Sequence, residues 1–398
     1  MSMTEISTES GQGRFGRPGA LSFAVLYGLE SLIFASVSTV VPLQALQILG
    51  NARDVSFLYA ALGVWGLAGA LLVPLLVRRL KPRATYALGG ALTIAGVAML
   101  ATVTLTGQVV GMMGRGFGAA CLRIPLSLFT LGYIRRTDLT RSEPLKLFLG
   151  ALPWAVGPYA GVWIYERWGP SVAFSVSGAF ALLLLVYARR LKLDDSRAAR
   201  TGPRGQRQGL AALRRFVAQP RLRLAWLLAF GRHAWWTMFF VYVPIYMTTV
   251  GEGKLAGALV ISAGTAMQFA TPAMGWLGRR HGIRRVLGLA FCACGGLTVA
   301  AGALAAWPLA VALMLVPAAL AAAALDALGD IPFLRAVRPF ERPEMTGIFS
   351  TYGQVAGLLP PAVFGGLLML FDLPVVFVVS GLTLLGFAAL TRYIPRRL

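Results

Sequence analysis

Ionisable side chains lie inside several long apolar stretches of this sequence, where a charge is costly. They are Glu30, Arg115, Arg123, Arg232, Asp326 and Asp330. A charged side chain in hydrocarbon costs several kcal/mol, so it is retained where water or an opposite charge stabilises it. A carboxylate in such a place can bind a proton, and an arginine can bind an anion. These residues therefore predict a polar site inside a largely apolar protein.

The composition places that site in a membrane. Hydrophobic residues make up 57% of the 398 residues, charged residues make up 13%, and the mean hydropathy is +0.70. A soluble domain carries about 25% charged residues. The net charge of +22 does not indicate nucleic acid as a partner, because the Lys and Arg residues lie in short loops between apolar stretches. We therefore expect an integral membrane protein whose partner is the lipid bilayer.

Twelve apolar segments are each near or above the ~20 residues that cross a bilayer core ~30 Å thick. The sequence places them at about 20–45, 54–77, 84–106, 108–134, 144–166, 170–188, 222–248, 254–278, 285–306, 308–334, 344–370 and 373–394. This pattern predicts an all-α, polytopic protein with twelve transmembrane helices.

A polar, arginine-rich segment divides the chain into halves of similar size. The predicted parts are a mobile N-terminal tail at 1–19, a six-helix bundle at 20–188, a basic linker at 189–221, a second six-helix bundle at 222–394 and a C-terminal tail at 395–398. Loops after the odd-numbered segments hold only Arg53, Arg167 and Lys254 as basic residues. By the positive-inside rule, both termini and the linker face the cytoplasm. We expect a multi-pass cell-membrane protein, with the bacterial inner membrane as the favoured location.

The two halves carry matching segments. Residues 74–83 align without gaps on residues 275–284, and the tripeptide at 123–125 matches the one at 330–332. In the second match an arginine in the first half corresponds to an aspartate in the second half. The repeat predicts two copies of one bundle in parallel orientation.

The loop from Gly275 to Arg285 resembles the signature G-x-L-x-D-R-x-G-R-R of the major facilitator superfamily. The resemblance covers the chain from about residue 20 onward, and it implies two pseudo-symmetric bundles that transport a small molecule by alternating access. It also implies a gating role for Arg78, Arg79, Arg83, Gly275, Arg279, Arg280, Gly282 and Arg284. Arg78 and Arg279 stand where the family has Asp, so whether these loops latch a gate stays open.

A second resemblance lies in the fifth segment, where Gly157, Pro158 and Gly161 are similar to the G-x-x-x-G-P-x-x-G-G signature of the family's antiporters. It implies proton-coupled antiport. The alternative is ordinary helix packing, because glycines four residues apart permit close contact and a proline frees a carbonyl that needs a partner.

In the family, the first, fourth, seventh and tenth helices line one central cavity. The resemblance therefore places Glu30 opposite Arg232, whereas a structural pair between Arg123 and Asp330 that holds the halves together is an alternative. Arg115 is the candidate for the family's proton-linked arginine. The substrate cavity is expected to contain Glu30, Arg115, Arg123, Arg232, His233, Tyr27, Gln268 and Gln354, although His233 can equally pack against a neighbouring helix.

Glu30 is the first candidate for the proton-carrying group. Asp326 and Asp330 are the second, because residues four apart share one face of a helix. Desolvation in a closed cavity and a neighbouring arginine act in opposite directions on a carboxyl group, so its protonation depends on which gate is open.

Three functions follow from these patterns. The leading hypothesis is proton-coupled efflux of an amphipathic organic compound, and the first alternative is proton-coupled uptake of an organic anion, which three intramembrane arginines favour. A non-transporting receptor or scaffold with the same fold is the alternative of another class, motivated by the missing loop aspartates. An enzyme is not expected, because no catalytic Ser, His and Asp set, metal motif or phosphate-binding Gly loop occurs in context. We expect no cofactor and no metal, and a monomer that binds a small-molecule substrate and protons.

Overall fold

The computed structural model describes residues 19–134, 136–196, 210–338 and 341–395, and these residues form helices with no strand among them. The first half contains α1 (Ala20–Ala35), α2 (Val40–Leu49), α3 (Ala52–Leu80), α4 (Pro82–Leu100), α5 (Leu105–Tyr133), α6 (Arg136–Trp168) and α7 (Pro170–Arg190). A short helix, α8 (Leu210–Ala218), precedes the second half. The all-α prediction is confirmed.

The second half repeats this order with more interruptions. It contains α9 (Pro220–Thr249), α10 (Lys254–Ala266), α11 (Thr271–His281), α12 (Ile283–Ala303), α13 (Pro308–Leu328), α14 (Ile331–Ala336), α15 (Arg342–Phe349), α16 (Thr351–Leu367) and α17 (Val375–Leu390). Short 3-10 turns lie at Met267–Ala270 and Thr391–Tyr393. Apart from α8, consecutive helices join into twelve rods that follow the order of the twelve predicted segments.

Eight rods of the described chain have the length and the hydropathy to cross a membrane. They are Ala20–Leu49, Ala52–Leu80, Pro82–Leu100, Pro170–Arg190, Lys254–His281, Ile283–Ala303, Pro308–Ala336 and Val375–Tyr393. Helices α5 and α9 are 29 and 30 residues long but do not reach the same hydropathy. These two helices carry Arg115, Arg123 and Arg232, and arginine lowers the mean hydropathy of any window that contains it.

Four rods that the sequence predicts as continuous are broken. The first is interrupted at 36–39, the eighth at 267–270, the tenth at 329–330 and the eleventh at Ser350. The first three of these breaks lie just before a proline, namely Pro42, Pro272 or Pro332. Proline has no N–H and its ring clashes with the carbonyl four residues earlier, so the helical hydrogen-bond ladder is lost at that point. The breaks bring non-helical backbone into the interior of the bundle.

The same helix pairs recur in both halves. In the first half, the third rod (α4) packs against the fourth (α5) and the sixth (α7). In the second half, α12 packs against α13 and α17 in the same way. Helix α1 packs on α6 as α9 packs on α16. Between the halves, α3 packs on α16 and α6 packs on α10. The repeat seen in the sequence therefore corresponds to repeated packing.

Parts of the predicted tails and linker fall outside the described residues. They are 1–18 of the N-terminal tail, 197–209 of the linker and 396–398 of the C-terminal tail. The described end of the linker is helical, because α8 occupies Leu210–Ala218.

Helix α6 crosses the break in the first rod at very short range. A Cβ added at Gly161 would overlap the carbonyl oxygen of Ser36, and one at Gly157 would lie 2.9 Å from the Ala35 backbone. Small residues allow such close helix contact. Gly157 and Gly161 of the Gly-Pro segment (residues 157–161) thus have a packing role at the break in the first rod.

We predict that Gly161→Ala lowers the free energy of unfolding by about 1–3 kcal/mol, because the added methyl group cannot be accommodated next to backbone atoms. Denaturant unfolding in detergent micelles measures this change. Gly116→Ala is the control, since a Cβ at Gly116 meets nothing within 4 Å. Equal effects of the two substitutions would contradict the packing role.

Candidate functional site

The first half contributes one ion pair to the interior. Arg123 of α5 places its Nε 3.1 Å from Oε1 of Glu30 in α1. The Glu30 side chain is 4% exposed, whereas that of Arg123 is 66% exposed. The carboxylate is therefore buried in the bundle, while most of the guanidinium faces open space.

The second half contributes a larger cluster around Arg232 of α9. Its Nε lies 3.3 Å from Oδ1 of Asp326, and its Nη2 lies 3.1 Å from Oδ1 of Asp330. Nη2 also donates to the Tyr352 hydroxyl at 3.1 Å, and Nη1 donates to the Leu325 carbonyl at 3.2 Å. The Arg232 side chain is 8% exposed and that of Asp330 is 52% exposed. In this cluster the Arg232 guanidinium is buried and hydrogen-bonded, and Asp330 is the exposed partner.

Asp326 also contacts a second side chain of α9 and connects the cluster to the eighth rod. Its Oδ2 accepts hydrogen bonds from Nε1 of Trp236, at 2.9 Å, and from Nε2 of Gln268. Gln268 lies in the 3-10 turn that breaks the eighth rod. The break therefore places an amide next to the carboxylate.

Among the described residues, the ion pairs form within each half, and none joins the two halves. The expected arrangement set Glu30 opposite Arg232, with a cross-half pair of Arg123 and Asp330 as the alternative. The structure instead pairs Glu30 with Arg123 and Asp330 with Arg232. In each half the first and fourth rods are close enough to pair, and the reversal of sign at both positions preserves the pairing.

His233 lies beside the Arg232 cluster. Its ring makes an edge contact with Tyr352, with centroids 5.8 Å apart. The residue is exposed, as Arg123 and Asp330 are.

Arg115 occupies a different position from the ion pairs. Its Nη2 donates to the Phe34 carbonyl at 3.0 Å, and its guanidinium lies over the Phe34 ring, 5.0 Å from the centroid. In an unbroken helix that carbonyl would bind the Ser38 N–H, which here donates to Ala35. Arg115 therefore satisfies a carbonyl freed by the break in the first rod, and within the described residues it forms no ion pair.

Two other predicted cavity residues lie at helix interfaces. A Cβ at Gly150 would overlap the ring of Tyr27, so Tyr27 packs between α1 and α6. Oε1 of Gln354 lies 3.1 Å from the position of a Cβ on Gly66, which places Gln354 where α16 of one half meets α3 of the other.

Sequence reasoning did not assign Tyr352 and Trp236 to the site, although both contact its charged groups. Trp236 follows Arg232 by four residues and therefore shares its helix face, which is a signal that the sequence contained. Tyr352 has no such relation to Arg232 along the chain, because it comes from a different rod.

The Gly-Pro segment also bridges the two halves. Pro158 lacks the N–H that would bind the Trp154 carbonyl, and Oγ1 of Thr265 in α10 donates to that carbonyl at 2.6 Å. The next N–H, of Tyr159, donates to Oγ of Ser262 at 3.1 Å. The freed carbonyl thus finds its partner in the other half.

A further bridge joins the halves near the end that carries the odd-numbered loops. The Tyr242 hydroxyl of α9 lies 2.8 Å from Oγ of Ser56 near the start of α3, and both residues are buried. The two halves are therefore in contact at this end, whereas Arg123, His233 and Asp330, further along the rods, are exposed.

Comparison with known proteins agrees with this fold. The family model described as Major Facilitator Superfamily matches residues 145–316. A mutant of the nucleoside transporter NupG superposes with a TM-score of 0.77 at 14% identity, covering 94% of this chain and 99% of that one. A POT family transporter in complex with 5-aminolevulinic acid superposes with a TM-score of 0.78 at 11% identity, covering 95% of this chain and 96% of that one. A POT family transporter in complex with a thioalcohol conjugated peptide superposes with a TM-score of 0.76 at 12% identity, with the same coverage of the two chains.

The chain has the fold of the major facilitator transporters. The family match and the fold together make it a membrane transport protein rather than an enzyme. No curated protein matches the sequence.

The two loops of this transporter that resemble the family signature end helices α3 and α11. Their last turns contain Arg78, Arg79, Arg279 and Arg280, all of which are exposed. Gly282 has a φ of +87° and joins α11 to α12, a conformation that glycine adopts readily.

Within the described residues, the loop arginines form no ion pair. The Arg83 backbone N–H donates to Oδ1 of Asp195 at 2.8 Å. Arg280 instead lies over the Trp276 ring, 5.2 Å from its centroid. Gly275 and Arg284 are half-buried beside this loop. The gating role of these residues stays a prediction.

We predict that Thr265→Val lowers the transporter's free energy of unfolding by about 1–3 kcal/mol, because the Trp154 carbonyl loses its donor in a buried place. Thr383→Val is the matched control, since the exposed Thr383 hydroxyl bonds only to its own helix, at Val379. Denaturant unfolding in micelles compares the two, and a loss no larger than that of the control would argue against the bridge.

We also predict that Asp326→Asn lowers the free energy of unfolding by about 1.5–3 kcal/mol, since buried Arg232 loses a charged partner. Glu252→Gln serves as control because Glu252 is exposed in a loop. Thermal and denaturant unfolding should agree in ranking the variants, and an unchanged midpoint for Asp326→Asn would contradict the role of Asp326 in holding Arg232.

Proposed function

We propose that this transporter moves a small organic solute with a carboxylate or similar anionic group, coupled to protons, by alternating access. The observation that carries the proposal is the pair in which Glu30 is buried and Arg123 is exposed. Glu30 is the proton-carrying group, and Arg123 is the contact for the anionic group of the solute.

The coupling follows from the chemistry of that pair. An ionised Glu30 holds Arg123 through a charge-assisted hydrogen bond. When Glu30 takes up a proton, it loses that charge and the guanidinium becomes available to an anion. A proton and an anionic solute then bind together, which favours movement of both in the direction of the proton gradient.

The second half supplies the complementary charge. Arg232 is already satisfied by two carboxylates, a hydroxyl and a carbonyl, so it is not the contact for the solute. Asp330 is half exposed and is the candidate to bind a cationic group of the solute. A zwitterion with its carboxylate at Arg123 and its ammonium at Asp330 therefore suits the site. The POT family structure with 5-aminolevulinic acid shows a protein of this fold in complex with such a compound.

Efflux of an amphipathic compound is the second candidate. Aromatic rings from both halves meet at the site, with the Trp154 and Phe240 centroids 5.2 Å apart and the Phe240 and Trp236 centroids 5.7 Å apart. Such a surface binds apolar groups. In this reading the solute competes with the proton for the Glu30 pair, and the two move in opposite directions.

The same proposal includes the membrane and the assembly. We infer a bacterial inner-membrane location with both termini in the cytoplasm, supported by the distribution of Lys and Arg among the loops. The exposed charges of the site then open toward the cytoplasm, and one monomer contains the complete site.

The proposal predicts that Glu30→Gln abolishes proton-driven accumulation while exchange is retained, because a glutamine cannot carry a proton. Proteoliposomes with an imposed proton gradient are tested with labelled dipeptides, short-chain carboxylates and nucleosides. We expect a preference for carboxylates, and a loss of gradient-driven uptake of about tenfold or more in the variant, equivalent to about 1.4 kcal/mol. Counterflow should persist.

Glu166→Gln is the control, because Glu166 is exposed near the end of α6. Uptake in Glu30→Gln vesicles with unchanged pH dependence would refute the assignment of the proton. Proton-driven export from preloaded vesicles, with no gradient-driven uptake, would favour the efflux candidate instead.

A further inference from the structure

A cleft with two arginines lies at the end of the second half that carries the linker. Arg221 from the first turn of α9 and Arg335 from the last turn of α14 line it, above an apolar surface that includes Leu224 and Ile394. Both arginines are exposed. Within the described residues, neither forms an ion pair, and no acidic side chain lines the cleft.

The backbone adds to this positive charge. Helix α9 begins at Pro220 and has no acidic residue in its first turn. The N-terminal end of a helix carries partial positive charge from its free N–H groups. Two arginines and this helix end together form a site suited to a phosphate, for which arginine has matching hydrogen-bond geometry.

Helix α8 lies against the same end of the bundle and exposes apolar side chains. Phe216 is buried with Leu222 in a cluster of the second half, and Ala212 of the same helix is also buried. Leu213 and Val217 are about half exposed on the adjoining part of the helix surface. A short helix with an apolar face bordered by arginines, here Arg214 and Arg215, is typical of segments that lie in the membrane interface.

We propose that this end of the second half binds an anionic phospholipid. Arg221 and Arg335 hold its phosphate, and Leu213 and Val217 lie against acyl chains at the membrane surface. A lipid accounts for the two observations together, because a free anion would use the cleft and leave the apolar residues of α8 in water. The site does not depend on the identity of the transported solute.

The test uses the full chain purified in a neutral detergent, with phosphatidylglycerol and phosphatidylcholine of identical acyl chains as probes. Native mass spectrometry measures the lipid retained, and the apparent melting temperature measures stabilisation by mass action. We expect retention of phosphatidylglycerol over phosphatidylcholine. Arg221→Gln with Arg335→Gln should weaken that retention about fivefold to tenfold, as expected for the loss of two charge-assisted contacts.

Two further double variants control for charge and folding. Arg223→Gln with Arg338→Gln removes the same charge from exposed positions outside the cleft and should retain the lipid. Arg221→Lys with Arg335→Lys keeps the charge and should retain more lipid than the glutamine pair. Equal losses in the cleft variant and the control variant would mean diffuse attraction and would overturn the proposal.

The last two measurements separate a lipid from other occupants. Inorganic phosphate should raise the melting temperature less than phosphatidylglycerol does, and an equal rise would overturn the lipid in favour of a free anion. Leu213→Ser with Val217→Ser should weaken lipid retention. If this variant retains the lipid but loses transport, Leu213 and Val217 contact the first half of the protein. Their proposed position against acyl chains would then be wrong.

Discussion

A charge inside an apolar helical bundle has to be stabilised by polar partners where it lies, and this constraint shapes the interior of the transporter. Arg232 shows it most completely, since its guanidinium is almost fully buried and reaches Asp326, Asp330, Tyr352 and a backbone carbonyl. These partners come from the tenth and eleventh rods, so a single arginine fixes three rods of the second half against each other. Breaking such a buried pair is costly because the remaining charge is left uncompensated.

The same requirement extends to the backbone. Prolines and breaks free carbonyl groups within the bundle, and a buried carbonyl without a donor is costly. The Trp154 carbonyl is satisfied by Thr265, and the Phe34 carbonyl is satisfied by Arg115. The first of these contacts joins the two halves, and the second joins the first rod to the fourth. Irregular backbone therefore becomes a source of specific contacts at the positions where the rods meet.

The sequence predicted the helices and the charged positions, but it could not predict the partners. Twelve apolar segments, the repeat and the charges within the segments follow from hydropathy and spacing, which are local properties. Pairing depends on which helices are neighbours and how each is rotated. Glu30 therefore pairs with Arg123 of its own half, a contact that the expected placement of Glu30 opposite Arg232 did not include. The break in the eighth rod brings Gln268 to Asp326, and no spacing along the chain indicates that contact.

The charges of the paired residues are reversed between the halves, and the burial of each residue shows what this reversal does. In both halves the first rod provides the buried member of the pair, Glu30 or Arg232, and the fourth-rod partner is the exposed one, Arg123 or Asp330. If the halves were identical in sign, the open region would face two like charges, and an ionic solute of the same charge would be repelled by both sides. Because the sign is reversed, one half presents a cation and the other an acid. The duplicated fold thus pairs each of these buried charges within its own half and leaves exposed partners of opposite sign, Arg123 in one half and Asp330 in the other.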